Sequence, residues 1–318
     1  MHGALLINKP SGISSFGVIE TLQKLLRAHY GPRKRSELPK IGHGGTLDPF
    51  ATGLLIVCVG NGVKLARYFL GSGKTYTGLM RFGETTVPGD PTEPVSEHME
   101  NIPQSLGVLN DWAEKLCRQP YLQTPPMHSA KKRNGVALYE LAREGIEVDR
   151  EAKSCTLKNF SFLNLQTGVG ASHPIARADF SVECSSGTYI RTLAQDFGRL
   201  VGSVGMLDRL HRARSGVFDC NQALALPEIS QAMDEGKTWS ELPCWIDFND
   251  LLSGYPKVMA SALQRDALLR GQQKVLSDLL RPPAEDGSEH RALFCENTLI
   301  AVAKFENGSW GLERVFNS

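Results

Sequence analysis

The spacing of apolar positions changes several times along the chain, and each change predicts an element. "ALLINKP" (4–10) is a short apolar run closed by proline, the pattern of a buried strand. In "SSFGVIETLQKLLRAHYG" (14–31) the residues Phe16, Ile19, Leu22 and Leu26 recur at helical spacing, Ser14 or Ser15 offers an N-cap, and Gly31 supplies the stop. A glycine- and proline-rich loop, "GHGGTLDPFATG" (42–53), leads into "LLIVCVG", apolar and β-branched enough for another buried strand. "KTYTGLMRFG" (74–83) alternates, with Tyr76, Met80 and Phe82 on one face. Helical patterns follow at 104–118, 135–144 and 189–200, and strand patterns near 155–165, 175–185 and 214–219. With no regular β-α-β repeat, the chain reads as mixed α+β rather than doubly wound.

A composition shift around 240–255, acidic and containing Pro and Trp, marks a boundary: residues 1–250 as one domain and 251–318 as a second. The second part ends in two short alternating runs, "ALFCENTLIAVAKFENG" and "SWGLERVF", which predict a small, mostly β domain large enough to fold alone.

Composition narrows the classes. At 318 residues, 41% hydrophobic and 22% charged, the chain is neither disordered nor collagen-like. It has no run of 18 apolar residues and no signal-peptide pattern, so a cytoplasmic protein without a membrane association is expected. Seven scattered cysteines without C-x-x-C or metal spacing predict neither a disulfide framework nor a zinc site. The net charge of +1 conceals three basic segments, 33–40, 131–133 and 209–214, which are either solvated loops or one phosphate-tracking surface brought together by the fold. "GSGKTYTG" (71–78) imitates the end of a nucleotide-binding loop, but Tyr68 stands where the first glycine of G-x-x-x-x-G-K-[ST] belongs. ATP binding is therefore not expected, and Lys74 is assigned at most a backbone contact.

In "GHGGTLDPFATG" a single carboxylate, Asp48, sits between Leu47 and Pro49 in a stiff loop. It is either a turn-forming residue or a placed reactive group. "TYIRTLAQDFG", taken alone, is an amphipathic helix start.

Together, "INKPSG", "GHGGTLDPFATGLL", "KTYTG", "QTPPMHSAKKRNGVALYELAREG", "CSSGTYIRTLAQDFG", "LHRARSG" and "LIAVAKFENGSWGLERVFN", in this order over nearly the whole chain, resemble the TruB family of tRNA pseudouridine-55 synthases. The resemblance implies a pseudouridine synthase fold with a mixed, mainly antiparallel sheet and flanking helices, closed by a small β-barrel-like PUA domain. It implies detachment of uracil from ribose C1′ and reattachment through C5, with neither metal nor cofactor, on a uridine flipped out of the T-arm loop of tRNA. By the same resemblance Asp48 is the catalytic carboxylate, attacking C1′ or uracil C6 or acting as a base toward the sugar. Tyr76 stacks on the flipped base, Arg191 pairs with Asp48, and Tyr189 hydrogen-bonds near the reacting centre. His43 supports the vacated loop, Leu210 forms a pocket wall, and Lys64 and Arg212 meet phosphates, a plain surface lysine being the alternative for Lys64. Lys9, Pro10 and Gly45 support the catalytic loop. An inserted segment at 124–150, with Lys131, Lys132 and Arg133, would close over the RNA.

The chain departs from the family pattern at Val87, where an acid is expected before Asp90, and in "VGSVGM", which lacks a histidine. The start at Met1 and the short tail favour a stand-alone monomer over a guide-RNA-dependent, dyskerin-type relative with obligatory protein partners. A third reading is a tRNA-folding protein whose catalysis is dispensable.

Overall fold

The structure, a computed structural model, describes residues 1–31, 37–127, 129, 132–133, 135–170, 173–283 and 288–316, with the side chains of 132, 133, 137, 139, 142 and 143 left undescribed. Its centre is a long sheet whose strands lie in the order Leu157–Val169, Pro174–Cys184, Lys74–Phe82, Gly205–Ser215, Thr52–Val59, Gly3–Lys9 and Trp245–Asp247. Neighbours along this path run antiparallel except at one seam, where His211 and Arg212 pair in parallel with Thr52 and Gly53. The mixed, mainly antiparallel sheet expected from the resemblance is therefore present.

The first strand and Thr52–Val59 are nearly continuous apolar runs because both of their faces are covered. The first helix, Ser15–Tyr30, is capped by the Ser14 side chain accepting from the Gly17 N–H and ends at Gly31, whose φ is +73°. Its buried stripe is Ser15, Val18, Ile19, Leu22 and Leu26, while Phe16, assigned to that stripe from spacing, is 64% exposed. Helix Ile190–Leu200 docks through Phe197, whose ring lies 4.8 Å from that of Phe162, and this fixes the helix start over the middle of the sheet.

The main departure from the sequence reading is Gly205–Ser215. It is a full central strand of eleven residues, not a strand beginning at 214. Register shifts between Leu207 and Arg209 and between Arg212 and Arg214 break its alternation against Lys74–Phe82. "RLHRAR" consequently forms no basic loop. Arg209 and Arg214 pair with Asp179 and Asp219, and Arg212 is buried.

Residues beyond 256 form a second sheet, in the order Lys257–Met259, His290–Cys295, Thr298–Glu306 and Ser309–Val315. Among the described residues this order is open, so the expected barrel-like closure is not seen. One face covers a small core with Leu268 and Leu276, and the other sends Phe294, Leu299, Val302 and Phe316 into the main core. Tyr68 Oη donates to Glu313 at 2.8 Å across the same junction.

The parallel seam depends on Gly53. Its φ is +101°, and a Cβ there would collide with the Arg212 backbone. Gly53→Val is expected to destabilise the protein by at least about 3 kcal/mol, combining strain with separation of two central strands. Urea unfolding checks this; a loss below about 1 kcal/mol would show that the seam can open.

Candidate active site

The glycine-rich loop lies along the floor of a cleft of about 950 Å³ between the first helix, the central strands and the start of helix Ile190–Leu200. A loop buried there needs partners for its carbonyls, and side chains from distant elements supply them. Lys9, fully buried, donates from Nζ to Pro10 O (2.8 Å), Ile13 O (2.7 Å) and Pro49 O (3.2 Å). Ser15 Oγ donates to Leu47 O (3.0 Å) and accepts from the Leu47 N–H (2.8 Å). Arg212, 2% exposed, donates to the carbonyls of Leu54 (2.7 Å), Thr46 (3.3 Å) and Gly45 (3.1 Å).

The turn reading of Asp48 is met by its backbone. Its carbonyl accepts from the Ala51 N–H at 3.1 Å and closes a turn, while its carboxylate points away to Arg191. Arg191 grips it with two bonds, Nε to Oδ2 at 2.9 Å and Nη2 to Oδ1 at 3.1 Å. Nη1 donates to Pro88 O at 3.0 Å and lies 3.4 Å from Asp90 Oδ2. Arg191 is thus shared by two carboxylates, one facing the cleft and one almost wholly buried. Desolvation raises the pKa of Asp48 above the usual aspartate value, the charge and hydrogen bonds of Arg191 oppose that rise, and the negative charge of Asp90 adds to it.

Tyr76, 8% exposed, lines the cleft beside Leu210 and is the cross-strand neighbour of Arg212. Burial raises its pKa, so its phenol stays protonated at neutral pH despite the nearby Arg212 charge. His43 Nδ1 is buried without a hydrogen-bond partner among the described residues, and burial, helped by Arg212, keeps its imidazole neutral. Lys74 lines the same cleft but donates to the carbonyls of Phe69, Leu70 and Ser72; burial pushes its pKa down to about 8. It ties the end of one helix to the start of the Tyr76 strand, as the backbone-contact assignment anticipated.

Asp48, Tyr76, Tyr189, Arg191, His43, Gly45, Leu210 and Arg212 therefore meet in one cleft, and Lys9 and Pro10 lie beneath it. One expectation changes. Arg212 is not free for phosphate, because its guanidinium is occupied by loop carbonyls. Lys64 lies outside the cleft, exposed on the short helix Gly60–Leu65. Lys131 lies outside the described residues, as do the side chains of Lys132 and Arg133.

Gln123 opens the "QTPPMHSAKKRNG" stretch, whose spacing predicts no role for it. Its buried amide accepts from the Tyr189 N–H at 2.7 Å and donates to Tyr189 O at 2.9 Å. It also donates to Tyr121 Oη, which in turn donates to Asp196 on the catalytic helix. No pattern of apolar spacing reveals a partner 66 residues away.

The sequence profile described as "TruB family pseudouridylate synthase (N terminal domain)" matches residues 33–190. A protein called tRNA pseudouridine synthase B from Azoarcus sp. (strain BH72) is 34% identical over 97% of this chain and 93% of its own. One of the same name from Saccharophagus degradans is 38% identical over 74% and 70%. Among solved structures, a chain of an H/ACA ribonucleoprotein bound to a substrate RNA containing 2′-deoxyuridine shares the fold, with TM-score 0.66 and 19% identity, over 99% of this chain and 85% of that one. The fold is that of a pseudouridine synthase. The chain belongs to the TruB family of pseudouridylate synthases.

Two outcomes are expected. Asp90→Asn removes a like charge, so the Asp48 pKa, followed by ¹³C NMR of carboxyl-labelled aspartate, moves down; an unmoved pKa would show that the two carboxylates do not interact. Gln123→Met frees the start of the catalytic helix and lowers kcat roughly ten- to a hundredfold with a smaller change in KM. Gln123→Glu, which can still accept from the Tyr189 N–H, falls between. Steady-state kinetics of the two variants read this ordering.

Proposed function

We propose that the protein isomerises uridine 55 in the T-arm loop of tRNA to pseudouridine. The carrying observation is the carboxylate of Asp48, held by two hydrogen bonds from Arg191 at the floor of a cleft walled by Tyr76 and Leu210. A planar base cannot reach Asp48 while stacked inside an RNA arm, so the nucleotide must flip into the cleft. There Tyr76 offers an aromatic face and Leu210 an apolar wall, while Tyr189 stands at the start of the helix bearing Arg191.

In the reaction the C1′–N1 bond breaks, the uracil turns in the pocket, C1′–C5 forms, the proton on C5 leaves to solvent, and N1 takes up a proton, so that substrate and product are isomers. Asp48 must be ionised to engage the sugar or the base. Arg191 opposes the desolvation that would otherwise protonate it. A site that excludes water retains the detached uracil until it is rejoined.

The names of the relatives at 34% and 38% identity support tRNA as the substrate, whereas the likeness to the H/ACA chain, at 19%, supports the fold alone. We accordingly read the protein as acting on tRNA by itself, as a monomer without a guide RNA. The division at residue 250, with the C-terminal part an RNA-binding domain, belongs to the same reading.

Tritium release from C5-labelled uridine in transcribed tRNA tests this proposal. Purified protein should release tritium from one position without added protein or RNA. Asp48→Asn should release none, a loss of at least about 10³-fold, while still binding tRNA. Tight binding without release by the wild type would overturn the reading.

A further inference from the structure

A second cavity, about 850 Å³, opens at the start of the Ile41–His43 strand, where Lys40 lines it, while His43 lines the cleft. Its wall joins the end of the first helix at Tyr30, the segment of Glu37 and Lys40, and Lys64 of the short helix to Arg314 of the last strand. The frame is fixed, because Gly60 N–H donates to Lys40 O at 2.7 Å and Asn61 N–H donates to His2 Nδ1 at 3.0 Å.

The charges in this cavity are not balanced. Among the described residues, Lys40, Lys64 and Arg314 face it with one carboxylate, Glu37. Burial lowers the pKa of His2, and the positive charge of Lys64 acts in the same direction. Arg314 is half-buried, and its Nε is cut off from solvent without a hydrogen-bond partner among the described residues. Its neighbour Glu313 is engaged elsewhere, with Tyr68, Arg67 and His290. A guanidinium Nε–H withdrawn from water and left without an acceptor is destabilising unless an acceptor completes it. Its planar fork of donors suits phosphate.

Lys40 and His43 stand at opposite ends of a stretch of extended chain, roughly 10 Å apart at about 3.3 Å per residue. That separation is short enough for an RNA with one base in the catalytic cleft to reach this second opening with its backbone. We propose that the cavity beside the last strand is a phosphodiester site, in which Arg314 and Lys40 hold the backbone of the same RNA arm whose uridine enters the cleft. This inference rests on the functional reading above and gives the C-terminal sheet a direct part in RNA binding.

The test is equilibrium binding of a transcribed T-arm stem-loop to Asp48→Asn protein across about 50 to 200 mM salt, with and without Lys40→Gln and Arg314→Gln. Removing two phosphate contacts should lower the slope of log Kd against log salt by about 1.4 to 1.8. Affinity should fall about tenfold at the lowest salt and by less than about twofold at the highest, since the released counterions set the difference. Thermal unfolding of the variants shows whether the junction is intact, and Lys40→Gln alone, an exposed site, should give about half the slope change if Arg314→Gln unfolds the protein. An unchanged slope in Lys40→Gln and in the double variant would overturn the phosphodiester site. Failure of the functional reading is separable, since it appears as absence of tritium release by wild-type protein whatever the slopes are.

Discussion

A carboxylate at the floor of a narrow cleft loses most of its hydration, and without a neighbouring cation it would take up a proton. The Arg191–Asp48 pair answers that constraint, and much of the structure serves to make the pair possible. Arg191 is the second residue of helix Ile190–Leu200, so its position depends on the Phe197 packing that docks the helix on the sheet. Asp48 lies 143 residues earlier, in a loop with few backbone partners of its own. Only a rigid frame can hold two such distant groups within hydrogen-bond distance, and the pair contributes little unless it is held.

The frame consists mainly of buried polar side chains. Lys9, Ser15 and Arg212 accept or donate nothing to solvent; they close the catalytic loop against the first helix and the central strands. Burial pushes the Lys9 pKa down to about 8, the mark of an ammonium retained for its bonds to three carbonyls. Arg191 is anchored from a second side by Asp90, so its charge is divided, and Asp48 is left with a raised rather than a suppressed pKa. A carboxylate whose desolvation outweighs its pairing is weakly solvated, which favours reaction over inert pairing.

Local order was legible wherever apolar spacing dominates: the first strand, the first helix, the Tyr76 strand and the closing β runs follow from period alone. Asp48 also stood out, because glycine and proline isolate it. The central strand Gly205–Ser215 did not, since two register shifts and five charged or histidine side chains disguise its alternation. The same disguise made Arg212 look like a surface cation. Pairings over long separations, Arg191 with Asp48 and Gln123 with Tyr189, leave no periodic trace. The first was reached through family resemblance, and the second only through the structure. The exposure of Lys64 fits both of its readings, and the sequence holds no information on which opening it faces.

Arg191 lowers the pKa of Asp48 in a site whose desolvation raises it. The direct measurement is the Asp48 pKa, followed by ¹³C NMR of carboxyl-labelled aspartate, in wild-type protein and in Arg191→Gln. Removing the cation deletes both its charge and its two hydrogen bonds, so the account predicts a pKa higher in the variant than in the wild type, with a native fold retained. A pKa equal to or below that of the wild type would contradict it.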